Sequence, residues 1–113
     1  MEYPADATFY VRLSLVIAKE GQEEAVSEMM DALLEFLATQ PGHVRGYKLV
    51  RRHPDPRIGR ITVWQSEHDA DRAAQTQHVL SVRSELMQLI EEDSHVERSY
   101  TAYDPQLAKT LSS

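Results

Sequence analysis

A chain of 113 residues, 42% hydrophobic and 27% charged, has room for one domain around a single core and none for a second. The absence of cysteine removes disulfides, thiolate nucleophiles, thiolate metal ligands and iron–sulfur clusters. A formal net charge of −6 argues against a nucleic-acid partner, whose affinity rests mostly on phosphate neutralisation, and no apolar run approaches the roughly 20 residues of a membrane span. Met1 to Asp6 has neither the basic start nor the apolar core of a signal peptide, so the cytoplasm is the expected compartment.

Residues 1–7 read as an N-terminal tail. Thr8 to Ala18 alternates as a strand, with Phe9, Val11, Leu13, Leu15 and Ile17 on one face and Tyr10, Arg12, Ser14, Val16 and Ala18 on the other. After Lys19-Glu20-Gly21, residues Gln22 to Gln40 carry Val26, Met29, Met30, Leu33, Leu34 and Leu37 at helical spacing. Glu24, Glu28, Asp31 and Glu35 form the acidic, solvated back of that helix, and Gln40-Pro41-Gly42 ends it. Val44 to Arg52 and Ile58 to Gln65 read as two strands of a hairpin, joined through the two prolines of His53-Pro54-Asp55-Pro56-Arg57. In the second of these strands Arg60, Thr62 and Trp64 share a face, opposite Ile61 and Val63.

Ser66 is a candidate N-cap, with Glu67, Asp69 and Asp71 suited to the positive end of the next helix. From Glu67 to about Glu91 the apolar stripe changes phase. Ala70, Ala73 and Ala74 serve the first part and Val79, Val82, Leu86, Leu89 and Ile90 the second, which predicts a break near Thr76-Gln77. Val96 to Tyr103 alternates as a fourth strand. Residues 105–113 read as a C-terminal tail whose Leu107, Ala108 and Leu111 could dock on a partner subunit.

Strand, helix, strand, strand, helix, strand is the α+β, ferredoxin-like βαββαβ sandwich, with both helices on one face of a four-stranded antiparallel sheet in a domain spanning residues 8–104. The other face is then bare, yet Tyr10, Val16, Tyr47, Leu49, Ile61, Val63 and Tyr103, with Phe9 to Ile17, leave more apolar surface than one helical layer can cover. A homodimer through that sheet face is therefore expected, closing a dimeric α/β barrel that buries about 800 Å² per subunit.

The run Trp64-Gln65-Ser66-Glu67-His68-Asp69-Ala70 and Ala73-Ala74-Gln75-Thr76-Gln77-His78 resembles the signature of the antibiotic biosynthesis monooxygenase (ABM) superfamily of dimeric α/β barrels. Trp64, Ser66, Ala70 and His78 fall on its strand Trp, its Ser, its helical Ala and its turn His. Gln40-Pro41-Gly42-His43 before Gly46-Tyr47 resembles the family's bend into the second strand, so the likeness covers roughly Phe9 to Asp104. Ala73 stands where many members carry a second His. Ser14, Ala73 and Arg83 stand at the places of the Asn, Trp and His that line haem in the haem-degrading branch, which disfavours haem degradation.

The resemblance implies a monooxygenase that works without a cofactor, oxidising a small aromatic substrate (a quinol, phenol or polyketide-like ring) with dioxygen. Such chemistry needs a water-poor pocket, a polar contact for the phenolate oxygen and a base. Trp64, with its indole N–H and flat wall, and His78, as base, are the candidate catalytic residues; Tyr47, Tyr100 and Arg12 are candidate substrate contacts. Each has a duller reading: Trp64 as core, His78 as a helix cap, the tyrosines as interface. The alternative from another class is a non-catalytic small-molecule-binding or stress-related dimer of the same fold.

Other chemistries lack a pattern. His43, His53, His68, His78 and His95 have no metal-ligand spacing, so no metal site is expected. Gly21, Gly42, Gly46 and Gly59 form no phosphate loop, and no serine sits in a nucleophile elbow. Arg51, Arg52, His53, Arg57 and Arg60 read as a soluble hairpin tip that could also steer an anion.

Overall fold

The computed structural model describes residues 4–112. Its elements are β1 (Thr8–Val16), α1 (Glu23–Leu37), β2 (His43–Arg51), β3 (Arg57–Trp64), α2 (Glu67–Ala74), α3 (Gln77–Leu89), β4 (Val96–Tyr103) and α4 (Pro105–Ser112). The four strands form one antiparallel sheet in the order β2-β3-β1-β4, which is the ferredoxin-like arrangement the alternation predicts. Of the expected N-terminal tail, residues 1–3 lie outside the described residues. Ala7, fully buried, donates its N–H to Pro4 and accepts from Asp104 N–H at 2.9 Å, so the segment just before β1 is tied into the domain.

One face of the sheet carries the core. Val26, Met30, Leu33 and Leu37 of α1 are buried with Val79 and Leu86 of α3, Ala70 and Ala73 of α2, and Val16 and Trp64 from the sheet. Their spacing puts each set on one stripe of its helix, and burying an aliphatic side chain of this size contributes about 1.5–3 kcal/mol. The acidic residues Glu24, Glu28, Asp31 and Glu35 are exposed, with Asp31 held by Lys48 at 2.9 Å.

The break in the second helical region falls at Gln75-Thr76, as the phase change of the apolar stripe predicts. Thr76 Oγ1 accepts from Val79 N–H and donates to Ala73 O at 2.8 Å, closing one helix and opening the next. Neither α2 nor α3 packs extensively on β4. The helix side of β4, with Glu97, Ser99 and Thr101, is therefore a mouth rather than a floor.

The opposite face is not wholly bare, which corrects the two-helix layout read from the sequence. Asp104 Oδ1 accepts from the N–H groups of Gln106 and Leu107, both at 3.0 Å, and starts α4, whose Leu107 lies beside Phe9, Val63 and Ala102 at one end of this face. Elsewhere Tyr47 remains 50% and Tyr100 54% exposed.

Candidate active site

The antiparallel register assembles the site. It sets Tyr10 opposite Trp64, Arg12 opposite Thr62 and Ser14 opposite Arg60, while β4 brings Ser99 beside Arg12 and Glu97 beside Ser14. Parity with buried Val16 and Trp64 turns this row toward the helices. Between the row and α3 lie two adjoining cavities. One, of about 40 Å³, reaches Arg12, Thr62 and Trp64; the other, of about 20 Å³, reaches Ser14, Leu86 and His95; Arg60, Arg83 and Glu97 line both.

The polar groups here are unevenly satisfied. Arg12 Nη2 donates to Asp71 Oδ1 at 2.8 Å and to Tyr10 Oη at 3.0 Å, and Tyr10 in turn donates to Ser99 Oγ at 2.9 Å. Burial disfavours the Arg12 charge, but the bonds to Asp71 and Tyr10 outweigh it and hold the group above its ordinary value. Arg12 Nε is buried without a hydrogen-bond acceptor, 3.9 Å from Glu97 Oε1. Among the described residues Arg60 makes no hydrogen bond or close ion pair, and burial, with Arg83 and Arg12 close by, draws it down to about 10 against the pull of Glu97. At neutral pH it is still a cation. Three guanidinium groups thus face two carboxylates, Asp71 and Glu97, on a chain of formal net charge −6.

Trp64 is 2% exposed, and its Nε1–H donates to Thr62 Oγ1 at 3.0 Å. The indole N–H is therefore occupied, which corrects the expectation that it would contact substrate directly. Thr62, equally buried, accepts that bond, and its own hydroxyl proton has no acceptor among the described residues. The polar contact on this wall is the threonine, oriented by the tryptophan. His43 packs edge-on against Trp64 at 5.3 Å from the far side, and burial lowers its pKa.

Of the residues singled out in the sequence, Trp64 and Arg12 meet in the cavity and the others do not. His78 is exposed and stacked on Phe36 of α1, ring centroids 4.0 Å apart and 14° from parallel. Val79, one residue and about 100° further round the helix, takes the inward position. Tyr47 and Tyr100 lie on the opposite sheet face, paired in register with Ile61 and Val11. Arg60, read as part of a hairpin tip, belongs inside; Arg51, Arg52 and His53 are exposed at the tip as expected.

The imidazole at the cavity is His95, which sequence reading did not assign. Its Nε2 lies 2.9 Å from Ser14 Oγ and 3.8 Å from Glu97 Oε2. Burial first, then the charges of Arg83 and Arg60, lower its pKa against the pull of Glu97, so it is neutral at pH 7 and able to take a proton. The hydrogen bond to Ser14 and the longer approach of Glu97 both fall on one ring nitrogen, so Ser14, His95 and Glu97 are not a nucleophilic triad, which needs base and orienting acid on opposite nitrogens. Among the described residues no cluster could hold a metal ion, and no helix is long and apolar enough to cross a membrane.

No family model and no curated protein matches the chain. Solved structures do. A proposed antibiotic biosynthesis monooxygenase from Nitrosomonas europaea aligns with a TM-score of 0.78 and 20% identity over 93% of this chain and 98% of that one. SnoaB, a cofactor-independent oxygenase from Streptomyces nogalater, gives 0.70 and 21% over 87% and 95%. A protein from Shewanella oneidensis gives 0.76 and 18% over 85% and 92%.

The chain has the fold of the antibiotic biosynthesis monooxygenases. At these identities the likeness is one of architecture, and roles rest on the residues themselves. Within this monooxygenase fold, the motifs that carry the resemblance do structural work. Gly42, at φ +84°, lies under the Asp69 carboxylate where a side chain would collide. Ser66 caps α2, accepting from Asp69 N–H at 3.2 Å and donating to Asp69 Oδ2 at 2.9 Å. Of the haem-branch positions, Ala73 is buried in the core, and Ser14 and Arg83 line the cavities.

Proposed function

We infer that the protein is a cofactor-independent monooxygenase of a small aromatic phenol, quinol or polyketide-like ring, bound as its anion between the Thr62–Trp64 wall and Arg12, Arg60 and Arg83. One observation carries this reading: Arg12, Arg60 and Thr62, each with a donor that has no acceptor among the described residues, line one small cavity of an otherwise acidic protein. A phenolate oxygen about 4 Å from one guanidinium gains on the order of 4 kcal/mol at an effective dielectric of about 20, enough to favour the anion over the phenol.

Neutral His95 accepts the phenolic proton, a role the geometry favours for it over His78. The electron-rich anion then reduces dioxygen. For an anthrone-type substrate a CH₂ becomes C=O; the carbon gives up four electrons, one oxygen atom enters the ring and the other leaves as water, so no external reductant is needed. A cavity of about 40 Å³ is smaller than the roughly 150 Å³ that accommodates benzene, so the ring enters as Arg83 and Glu97, exposed at the β4 mouth, swing aside. Tyr47 and Tyr100 fit better in this account as contacts of a homodimer through the open sheet face than as substrate contacts.

The small resting cavity, with His78 outside it, also favours a second reading, a dimer that binds small aromatics without transforming them, including in a stress-related role. Oxygen uptake with anthrone and a panel of quinols separates the two. The enzyme consumes one dioxygen per ketone formed, and loses about a hundredfold in kcat/KM on Arg60→Met or Thr62→Val. Saturable binding with no uptake above the protein-free rate establishes the binding-only reading.

A further inference from the structure

A second concavity lies outside this site, between the first turns of α1 and the β2–β3 hairpin. Its volume is about 510 Å³, within the range of small-molecule sites and far larger than the cavity beside Trp64. The floor is apolar: Val50, which is 60% exposed on the edge strand, Ile58 paired with it in register, and Pro56. An exposed valine on the helix-facing side of a strand is surface that α1 leaves uncovered.

The rim is cationic. Lys48 is tied to Asp31 at 2.9 Å, and Arg57 and Arg51 are both tied to Asp55. Arg52 makes no hydrogen bond or ion pair among the described residues, yet lines the groove. Glu23 is the acid on the rim. With Asp31, Asp55 and Glu23 set against these four cations the trough is still net positive, and Arg52 is its unpaired charge among the described residues, so an anion that the acidic surface at large repels is attracted here.

We propose that this groove is a binding site for a free amphiphilic carboxylate, with the alkyl chain along Val50, Pro56 and Ile58 and the headgroup on Arg52. A cationic or neutral amphiphile lacks the headgroup contact, and a small inorganic anion lacks the apolar one. The site is separate from the Trp64 cavity and stands whether or not that cavity oxidises anything.

Octanoate is the probe, titrated into ¹⁵N-labelled protein below its micellar concentration. The expected result is saturable one-to-one binding, with shifts centred on Ala18, Val50, Arg52 and Ile58 and none at Thr62 or the Trp64 indole. Hexanoate binds more weakly by about fourfold per methylene removed, and octylammonium does not bind. Arg52→Glu and Val50→Asp, both at exposed positions, each weaken octanoate at least tenfold while leaving the spectrum that of a folded chain. Equal affinity in both variants, non-saturable binding, or shifts centred on Thr62 or on Tyr47 and Tyr100 would overturn the proposal.

Discussion

Thr62→Val tests how the site wall is built. Valine matches threonine in shape, so the substitution opens no cavity, but it leaves the Trp64 N–H, now bonded at 3.0 Å, without an acceptor in a place where both side chains are 2% exposed. An orphaned buried donor costs about 1–3 kcal/mol. In a domain of this size that is a fall in Tm of about 4 °C for each kcal/mol. Trp64→Phe removes the donor, so the same threonine substitution in that background should cost close to nothing. A double-mutant cycle by urea unfolding, at one fixed protomer concentration, then gives a coupling energy of about 1–2 kcal/mol. A cost below about 0.5 kcal/mol, or an undiminished cost alongside Trp64→Phe, would refute the view that Trp64 acts by orienting Thr62.

Arg60→Met removes a part-buried charge with no close ion pair, so stability should hold or rise by up to about 1 kcal/mol in thermal unfolding even as anion binding is lost. His78→Ala breaks the stack on Phe36, lowering stability by about 0.5–1 kcal/mol and leaving oxygen uptake unchanged. His43 and His95 both have pKa values lowered by burial from the usual 6.5. The native state thus resists their protonation, so the stability they confer is complete above pH 6.5 and declines as pH falls through their lowered values; urea midpoints should show a shallower acid slope in the His43→Gln, His95→Gln double variant. Tyr47→Glu with Tyr100→Glu places charges on the open sheet face, and sedimentation should show a dimeric parent become a folded single subunit.

Alternation and apolar phase carried most of the fold into view. Alternation marked Thr8 to Ala18 as a strand but left open which face meets the helices, because Phe9 to Ile17 is apolar throughout and the mixed row Tyr10 to Ala18 is the one that turns inward; the shift from Ala70-Ala73 to Val79-Leu86 located the break between α2 and α3. Helix α4 went unread although Asp104-Pro105 is a cap followed by a residue suited to the first helical position. The site was half legible. Arg60 shares its strand face with Thr62 and Trp64, a sign that it points inward, but its sequence neighbours Arg57 and Arg52 suggested a solvated tip. His78 was misleading because the new helix starts one residue before it, giving the inward direction to Val79. His95 belongs to no periodic segment; it reaches the cavity only because β4 pairs with β1, a contact across 81 residues to Ser14.

Binding of 4-nitrophenol under anaerobic conditions addresses the central claim without depending on turnover, since its ionised form is read directly by absorbance. If Arg12, Arg60 and Thr62 hold an aromatic anion, saturating protein will lower the probe's apparent pKa, and Arg60→Met and Thr62→Val will each abolish most of that shift while His78→Ala leaves it intact. An unshifted probe, or a shift that survives the loss of Arg60, would contradict the account.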